Sequence, residues 1–256
     1  MFKRMKIGQK LVVIGAIILL VPLAVIGYIS VTTATEGLID LEHEQLTTRT
    51  REIALGIDQV FRTEKKIVTQ TATGSITIQA LSQGRGAGPE GIDYVRELNR
   101  ELTRYKNTRL LGDDYQVIFA ADRNGNIVAA SDPAYVDVNV DDRDYFSKAI
   151  RGETNIGTPA RNKVTNEPFV PLAAPVYTSG GDVVGVVAAI MKLEFLSTLI
   201  LDSKIGDTGY AYVVDSTGRL IAHPDETVVF ELNVMDLDGM EEIAEQRDEA
   251  MRSMSN

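Results

Sequence analysis

The sequence predicts an α+β protein in which a helical N-terminal third precedes two tandem antiparallel-sheet modules, the second of them incomplete. Three observations lead to this prediction. The first hundred residues carry a long apolar run and then a seven-residue apolar spacing, short β-rich runs begin at Tyr115, and the pattern at Tyr115 recurs near Gly209. With 256 residues, 44% of them hydrophobic, the chain can bury a substantial core.

Composition excludes several function classes. The chain has 36 acidic and 26 basic residues, a net charge of -10 that repels phosphates, so we expect no nucleic-acid partner. It has no cysteine, and its two histidines, His43 and His223, lie far apart, which argues against cysteine or histidine catalysis. The acidic clusters lack the spacing of a calcium loop. We therefore expect no metal and no cofactor.

The first element is an apolar run at residues 11–35 that contains no charged residue. As a helix it is long enough to cross about 30 Å of hydrocarbon. Residues 1–10 carry four basic residues and no acidic one, which favours a cytoplasmic N-terminus. The sequence thus predicts a transmembrane helix in the cell membrane with the remainder extracellular or periplasmic. The alternative is a cleaved signal peptide, whose apolar core is normally shorter.

A long helix and a connecting helix are predicted over residues 36–108. Apolar residues recur there at an interval of seven, which is the spacing of a coiled-coil or bundle seam. They are Ile39, Leu46, Ile53, Val60 and Ile67. The helix packs along its own domain, forms a homodimer contact, or does both. A glycine-rich loop at 81–91 precedes a predicted amphipathic helix at 90–107.

The first sheet module is predicted over residues 109–200. The pair Asn124-Gly125, typical of a tight hairpin, separates the runs YQVIFAA and IVAAS. A short helix follows, which Asp141 or Asp142 can cap. A second glycine hairpin separates PFVPLAAPVYT from DVVGVVAAIMKL. This order predicts an antiparallel sheet with its helices on one side.

The second module is predicted over residues 201–256. The sequence YQVIFAADRNGNIVAASDP is echoed by GYAYVVDSTGRLIAHPD, which begins at Gly209. Both contain an aromatic strand, an Asp, a glycine turn, an apolar strand and a proline. No final pair of apolar strands follows in the second copy. That module is therefore predicted to be cut short, or to be completed by sequence beyond Asn256.

A candidate ligand site lies at the start of the short helix of the first module. Arg143, Tyr145 and Phe146 supply one fixed charge and two aromatic walls within four residues. The arginine fork binds a carboxylate through two parallel hydrogen bonds, and the tyrosine adds a hydroxyl donor. The alternative is that both rings belong to the core and that Arg143 is a surface charge.

Four phrases resemble the double Cache extracellular sensor region of methyl-accepting chemotaxis proteins. They are DRDYFSKAIRGE, FVPLAAPV, GVVAAIM and IGDTGYAYVVDSTGRLIAHPD, and the resemblance extends from about Met1 to Asp225. It implies PAS-like five-stranded sheets, with the ligand in the membrane-distal module at 109–200 and a membrane-proximal module at 201–256. Related sensors also serve histidine kinases and cyclic-dinucleotide enzymes, so these outputs remain alternatives.

The resemblance also indicates the chemistry of the ligand. In amino-acid-binding members, the pattern Arg-x-aromatic-aromatic contacts the ligand carboxylate and an Asp pairs with its ammonium group. The matching position here is Ile190, which cannot pair with an ammonium group. A small organic acid is therefore expected, with an amino acid as the alternative. The predicted ligand-binding residues, including candidate walls on facing segments, are Arg143, Tyr145, Phe146, Thr158, Arg161, Phe169 and Ile190.

Taken with the membrane anchor, the resemblance implies a non-enzymatic receptor for chemotaxis. Ligand binding would bias two arrangements of the receptor, and the long helix would carry the change towards the membrane. The rival functions are a membrane-tethered enzyme and a tethered solute-binding module without signalling. No pair of acidic residues has a spacing that forces the two carboxyl groups together for acid–base catalysis.

Overall fold

The computed structural model describes residues 7–83, 93–108, 112–201 and 209–237. Within these ranges, the side chains of 7–14, 16–18, 36–40 and 43 lie outside the description. The chain divides into two compact units, Met1–Glu52 and Ile53–Asn256. All packing reported below lies within the second unit.

Helix α1 (Ile7–Ala72) runs without a break through the predicted span at 11–35 and includes Pro22. Where the chain is described, no helix has a stretch both long and apolar enough to cross a membrane. The predicted transmembrane helix is therefore not confirmed. The side chains of the basic segment at 1–10 lie outside the described residues.

The C-terminal part of α1 packs on the domain to which it belongs. Ile53 and Val60 contact the buried core, whereas the Leu46 side chain is exposed. The side chain of Ile39 lies outside the described residues. Packing along the same chain thus holds at Ile53 and Val60 of the seven-residue pattern.

Two shorter helices, α2 (Ser75–Gln83) and α3 (Tyr94–Thr108), follow α1. Leu98 and Leu102 of α3 are fully buried, so the predicted amphipathic helix is confirmed. The loop predicted at 81–91 begins later than expected, because α2 continues to Gln83, and the rest of that loop lies outside the described residues.

The first module is an antiparallel sheet of six strands in the order β2-β1-β6-β5-β3, with β4 also paired to β5. The strands are β1 (Tyr115–Asp122), β2 (Ile127–Ala130), β3 (Asn155–Ile156), β4 (Ala160–Arg161), β5 (Pro168–Tyr177) and β6 (Val183–Lys192). Both predicted hairpins are confirmed, with Gly125 and Gly181 at φ of 82° and 88°. The sixth strand exceeds the five implied by the resemblance, because two-residue β4 pairs with the start of β5.

Side chains alternate between the two faces of this sheet. Ile118 and Ala120 face a core that includes residues of α1, α2, α3 and helix α5 (Glu194–Leu201). Val117 and Phe119 face a second core that includes residues of helix α4 (Asp144–Ala149). The expectation of helices on one side is therefore wrong. Both faces of the strands are apolar, and both are covered.

The start of α4 also differs from the expectation. Its N-cap residue is Arg143, whose side chain makes no capping hydrogen bond, so the prediction that Asp141 or Asp142 caps it is wrong. Gly152, at φ 98°, follows the helix as predicted.

The described part of the second module is smaller. Strands β7 (Val213–Val214) and β8 (Leu220–Ala222) form a two-stranded antiparallel sheet joined through Gly218 at φ 87°. The buried Asp215 carboxylate accepts hydrogen bonds from the Thr217 and Arg219 backbone N–H groups, at 2.8 and 3.2 Å. The echo of the first hairpin is thus confirmed.

Candidate ligand site

The carboxylate of Asp144 fixes the start of α4. Its Oδ2 accepts hydrogen bonds from the Thr158 backbone N–H (2.9 Å) and Oγ1 (2.8 Å), and its Oδ1 accepts one from the Tyr145 N–H (2.7 Å). Burial acts to raise the pKa of Asp144, but these hydrogen bonds outweigh it and the pKa is lowered. Asp144 therefore connects α4 to the strand segment that follows it.

Acidification should weaken this connection. Since the folded pKa of Asp144 is lowered, its contribution is fully present above the unfolded value of about 3.9 and is lost as pH falls through the folded pKa. We expect Asp144→Asn to cost about 1 kcal/mol at pH 6 and to flatten the fall of the melting temperature below about pH 4. Thermal unfolding of the full chain, followed by circular dichroism, measures both effects.

Asp182→Asn, in an exposed hairpin, provides the matched control for this series. A variant at Asp144 that kept the wild-type dependence of melting temperature on pH would contradict the assigned role.

A small cavity lies beside α4 and brings together four of the seven predicted residues. Arg143, Tyr145, Phe169 and Ile190 line it. Its remaining lining residues are Phe119, Ile127, Tyr135, Val138, Val140, Asn162, Lys163 and Val164. Its volume of about 20 Å³ leaves room for about one water molecule. The site is therefore closed in this conformation.

The walls of this cavity are apolar and aromatic. Tyr145 and Phe169 are buried, with ring centroids 6.5 Å apart in an edge-to-face arrangement. Ile190 is buried beside them. Burial raises the pKa of the Tyr145 phenol, which stays protonated and can donate a hydrogen bond. No described residue forms a hydrogen bond with this hydroxyl.

Two cations and one carboxylate lie at the cavity. Lys163 Nζ lies 2.6 Å from Asp142 Oδ1, and Arg143 Nε lies 3.9 Å from the same oxygen. The ammonium group of Lys163 lowers the pKa of Asp142 through a hydrogen bond. The Arg143 side chain is 21% exposed, and its NH2 group donates to the Arg161 carbonyl oxygen at 3.1 Å. The single carboxylate of Asp142 lies beside two cations, Arg143 and Lys163. The three groups together carry an excess of positive charge that suits an anion.

Three polar residues that line this cavity were not predicted from the sequence. They are Tyr135, Asn162 and Lys163. Asn162 Nδ2 donates to the Tyr135 hydroxyl at 2.9 Å and to Gln116 Oε1 at 2.5 Å. Asn162 and Lys163 lie in a polar loop with no periodicity, where no local signal distinguishes them. Only the pairing of β4 with β5 brings this loop beside α4.

The other three predicted residues lie elsewhere. Phe146 is buried in the core on the α4 face of the sheet and does not line the cavity. Thr158 does not line the cavity, and it donates two hydrogen bonds to the Asp144 carboxylate. The Arg161 side chain points to the second module, where its NH2 group lies 2.7 Å from Glu231 Oε1. Only the backbone carbonyl of Arg161 contacts Arg143.

Across the described ranges, no group of three or more His, Cys, Asp or Glu residues is arranged to hold a metal ion. His223 has a local role, because its Nδ1 accepts the Asp225 backbone N–H at 2.9 Å and its ring meets that of Tyr210 edge-on.

The chain is similar to several curated proteins. The chain is 27% identical over 176 residues to the methyl-accepting chemotaxis protein McpA of Bacillus subtilis, covering 63% of this chain and 26% of McpA. The chain spans about a quarter to a third of the length of the curated relatives that it matches first.

Two solved structures share the fold. One is the sensor domain of the V. cholerae histidine kinase DctB, with a TM-score of 0.63, 17% identity, and coverage of 78% of this chain and 73% of that one. The other is the ligand-binding domain of Mlp24 with asparagine, with a TM-score of 0.57, 17% identity, and coverage of 80% and 79%.

The family model for the double Cache region, described as a Cache domain, matches residues 31–254. This match includes α4, the residues around the small cavity and the second module. The chain belongs to the Cache domain family.

Proposed function

We propose that this chain is the extracellular ligand-sensing region of a transmembrane chemoreceptor. Its membership of the Cache family and its likeness to chemotaxis receptors support a sensing role. The likeness to the DctB sensor domain favours a histidine kinase as the alternative output. In either case the chain acts by binding, not by catalysis.

The proposed ligand is a small organic acid bound at the Arg143 cavity. The observation that carries this proposal is the pairing of two cations, Arg143 and Lys163, with an apolar wall at Ile190. The cations suit a carboxylate, while Ile190 offers nothing to an ammonium group. Because the cavity now holds only about 20 Å³, binding requires the loops that carry Asp142 and Lys163 to move apart.

Titration calorimetry on the full chain in detergent tests this ligand class. We expect acetate, L-lactate or succinate to bind, and L-alanine and L-asparagine to bind at least about tenfold more weakly, since Ile190 offers their ammonium group no hydrogen-bond acceptor. The Mlp24 structure with asparagine makes an amino acid the second candidate. Tight binding of amino acids without binding of organic acids would overturn the proposal.

Signalling is proposed to pass through α1. Glu64 is buried on α1, and its carboxylate accepts a hydrogen bond from the hydroxyl of Tyr115 at the start of β1. Phe61 meets Phe195 of α5 edge-on, with ring centroids 5.8 Å apart. These contacts couple the helix to the sheet, so a ligand that favours one arrangement of the sheet also biases the position of α1.

The N-terminal part of α1 is proposed to anchor the receptor in the cell membrane. Large apolar side chains are exposed there with no charged residue between them. They are Leu19, Leu20, Val21, Leu23, Val25, Ile26, Tyr28, Ile29 and Val31. Such a surface is typical of a helix surrounded by lipid.

A homodimer contact is proposed along the first part of α1. Leu46 is 38% exposed, whereas Val60 packs on the core of the same chain. We expect a cysteine at Leu46 to form a disulfide between two chains in membranes under mild oxidation, because two seam positions approach closely. A cysteine at Val60 is the matched control and should react far less. Equal crosslinking of the two variants on a non-reducing gel would argue against this seam.

A further inference from the structure

A second cavity lies between one end of the first sheet and the segment 226–231 of the second module. Its volume is about 360 Å³, against about 20 Å³ beside Arg143. This size falls within the usual range of small-ligand pockets, about 300–1,000 Å³. It is lined by the start of β1 and of β5, by the end of β6 and by α5. None of its lining residues lines the Arg143 cavity, although the Arg161 carbonyl oxygen accepts a hydrogen bond from Arg143 and Gln116 Oε1 accepts one from Asn162.

One largely buried side chain in this cavity has a hydroxyl group without a hydrogen-bond partner in the described part of the chain. Ser197 of α5 lines the cavity and is only 3% exposed. No residue in the described ranges forms a hydrogen bond with its hydroxyl. Because this hydroxyl can donate one hydrogen bond and accept others, it is available to a polar group of a ligand.

The charges at the rim indicate the sign of that ligand. Glu231 is paired with Arg161 at 2.7 Å, but Glu167, Glu194 and Glu226 form no ion pair with a described residue. These three exposed carboxylates face one remaining cation of the lining, the ammonium group of Lys192. The cavity therefore has an excess of negative charge and attracts a cation.

The floor of the cavity indicates the shape of that cation. Pro168, Leu193 and Val229 provide apolar surface, and Leu193 is fully buried. A bare metal ion would leave this apolar surface and most of the volume unused. An aliphatic chain would cover it, with ammonium groups reaching the rim carboxylates and the Ser197 hydroxyl.

We propose that this cavity binds a small aliphatic amine, such as a diamine, at a site separate from the Arg143 cavity. The bound molecule would join the end of the first sheet to the second module. It would thereby favour one relative arrangement of the two modules, as a second input to the receptor.

Titration of the full chain in detergent with 1,4-diaminobutane tests the proposal. We expect saturable binding that weakens as sodium chloride rises from about 50 to 500 mM, since the contacts are electrostatic. Glu226→Gln should weaken binding about tenfold, and Ser197→Ala should weaken it about threefold. Neither variant should change the affinity for organic acids.

Glu153→Gln, which removes one exposed carboxylate away from this cavity, is the matched control and should bind like the wild type. Three results would each overturn the proposal: no binding up to about 10 mM diamine, equal weakening in the control, or binding of calcium chloride without binding of the diamine.

Discussion

Replacement of Arg143 by methionine should nearly abolish binding of organic acids by the full chain. Arg143 lies at the cavity with its guanidinium largely screened from solvent, so a ligand carboxylate can receive two parallel hydrogen bonds from it. Loss of such a charged pair costs about 1.5–3 kcal/mol, which corresponds to a Kd increase of about 10- to 150-fold. Titration calorimetry with acetate, L-lactate or succinate measures the change.

Arg143→Lys should bind the acid more weakly than the wild type and more tightly than Arg143→Met. Its ammonium group keeps the positive charge but lacks the planar fork of the guanidinium group. Arg151→Met removes an exposed arginine just after α4 and should bind like the wild type. If Arg143→Met folded with an unchanged melting temperature and still bound the acid with wild-type affinity, Arg143 would not be the carboxylate ligand.

Gly157→Ala should cause a large loss of stability. A Cβ atom at this position would lie 2.5 Å from Tyr145 Cβ and 2.8 Å from Pro171 Cγ, far inside contact distance. Neither neighbour can move freely, because one lies on α4 and the other in β5. Overpacking of this kind costs about 1–3 kcal/mol, which lowers the melting temperature by about 2–4 °C per kcal/mol in a chain of this size.

The same substitution should weaken organic-acid binding, since relief of the clash displaces Tyr145 from the cavity wall. Gly180→Ala is the matched control, because its Cβ would meet only Thr178 Oγ1 at 3.6 Å, an ordinary contact. We expect its melting temperature to stay within about 2 °C of the wild type. Indistinguishable melting temperatures for the two alanine variants would show that α4 and β5 are not tightly packed at this point.

The neighbouring rings of α4 show why the candidate site could be predicted only in part. Tyr145 and Phe146 carry the same sequence signal, and both are buried. Successive residues of a helix point about 100° apart, so one ring lines the cavity while the other enters the core. The sequence is compatible with a ligand-site role and with a core role for both rings. The orientation of α4 about its axis places Tyr145 at the cavity and Phe146 in the core.

Arg161 and Lys163 illustrate a second reason. Both are cations in the same polar loop region, but Lys163 lines the cavity and pairs with Asp142, whereas Arg161 reaches Glu231 of the second module. Sequence spacing cannot distinguish the two cations, because the partner of Lys163 lies 21 residues away and the partner of Arg161 lies 70 residues away. The pairing of β4, which contains Arg161, with β5 determines that the Arg161 and Lys163 side chains point to different parts of the molecule.

The sequence by itself determined the local elements of this protein. Glycine turns, apolar strand runs and the amphipathic helix depend on neighbouring residues, and each occurs where the pattern predicts it. Only the tertiary structure decided that α4 lies on the opposite face from α1 to α3, that Lys163 joins Arg143, and that the cavity is closed. Those features depend on the packing of segments distant in sequence, and the energies of such long-range contacts leave no periodic signal in the chain.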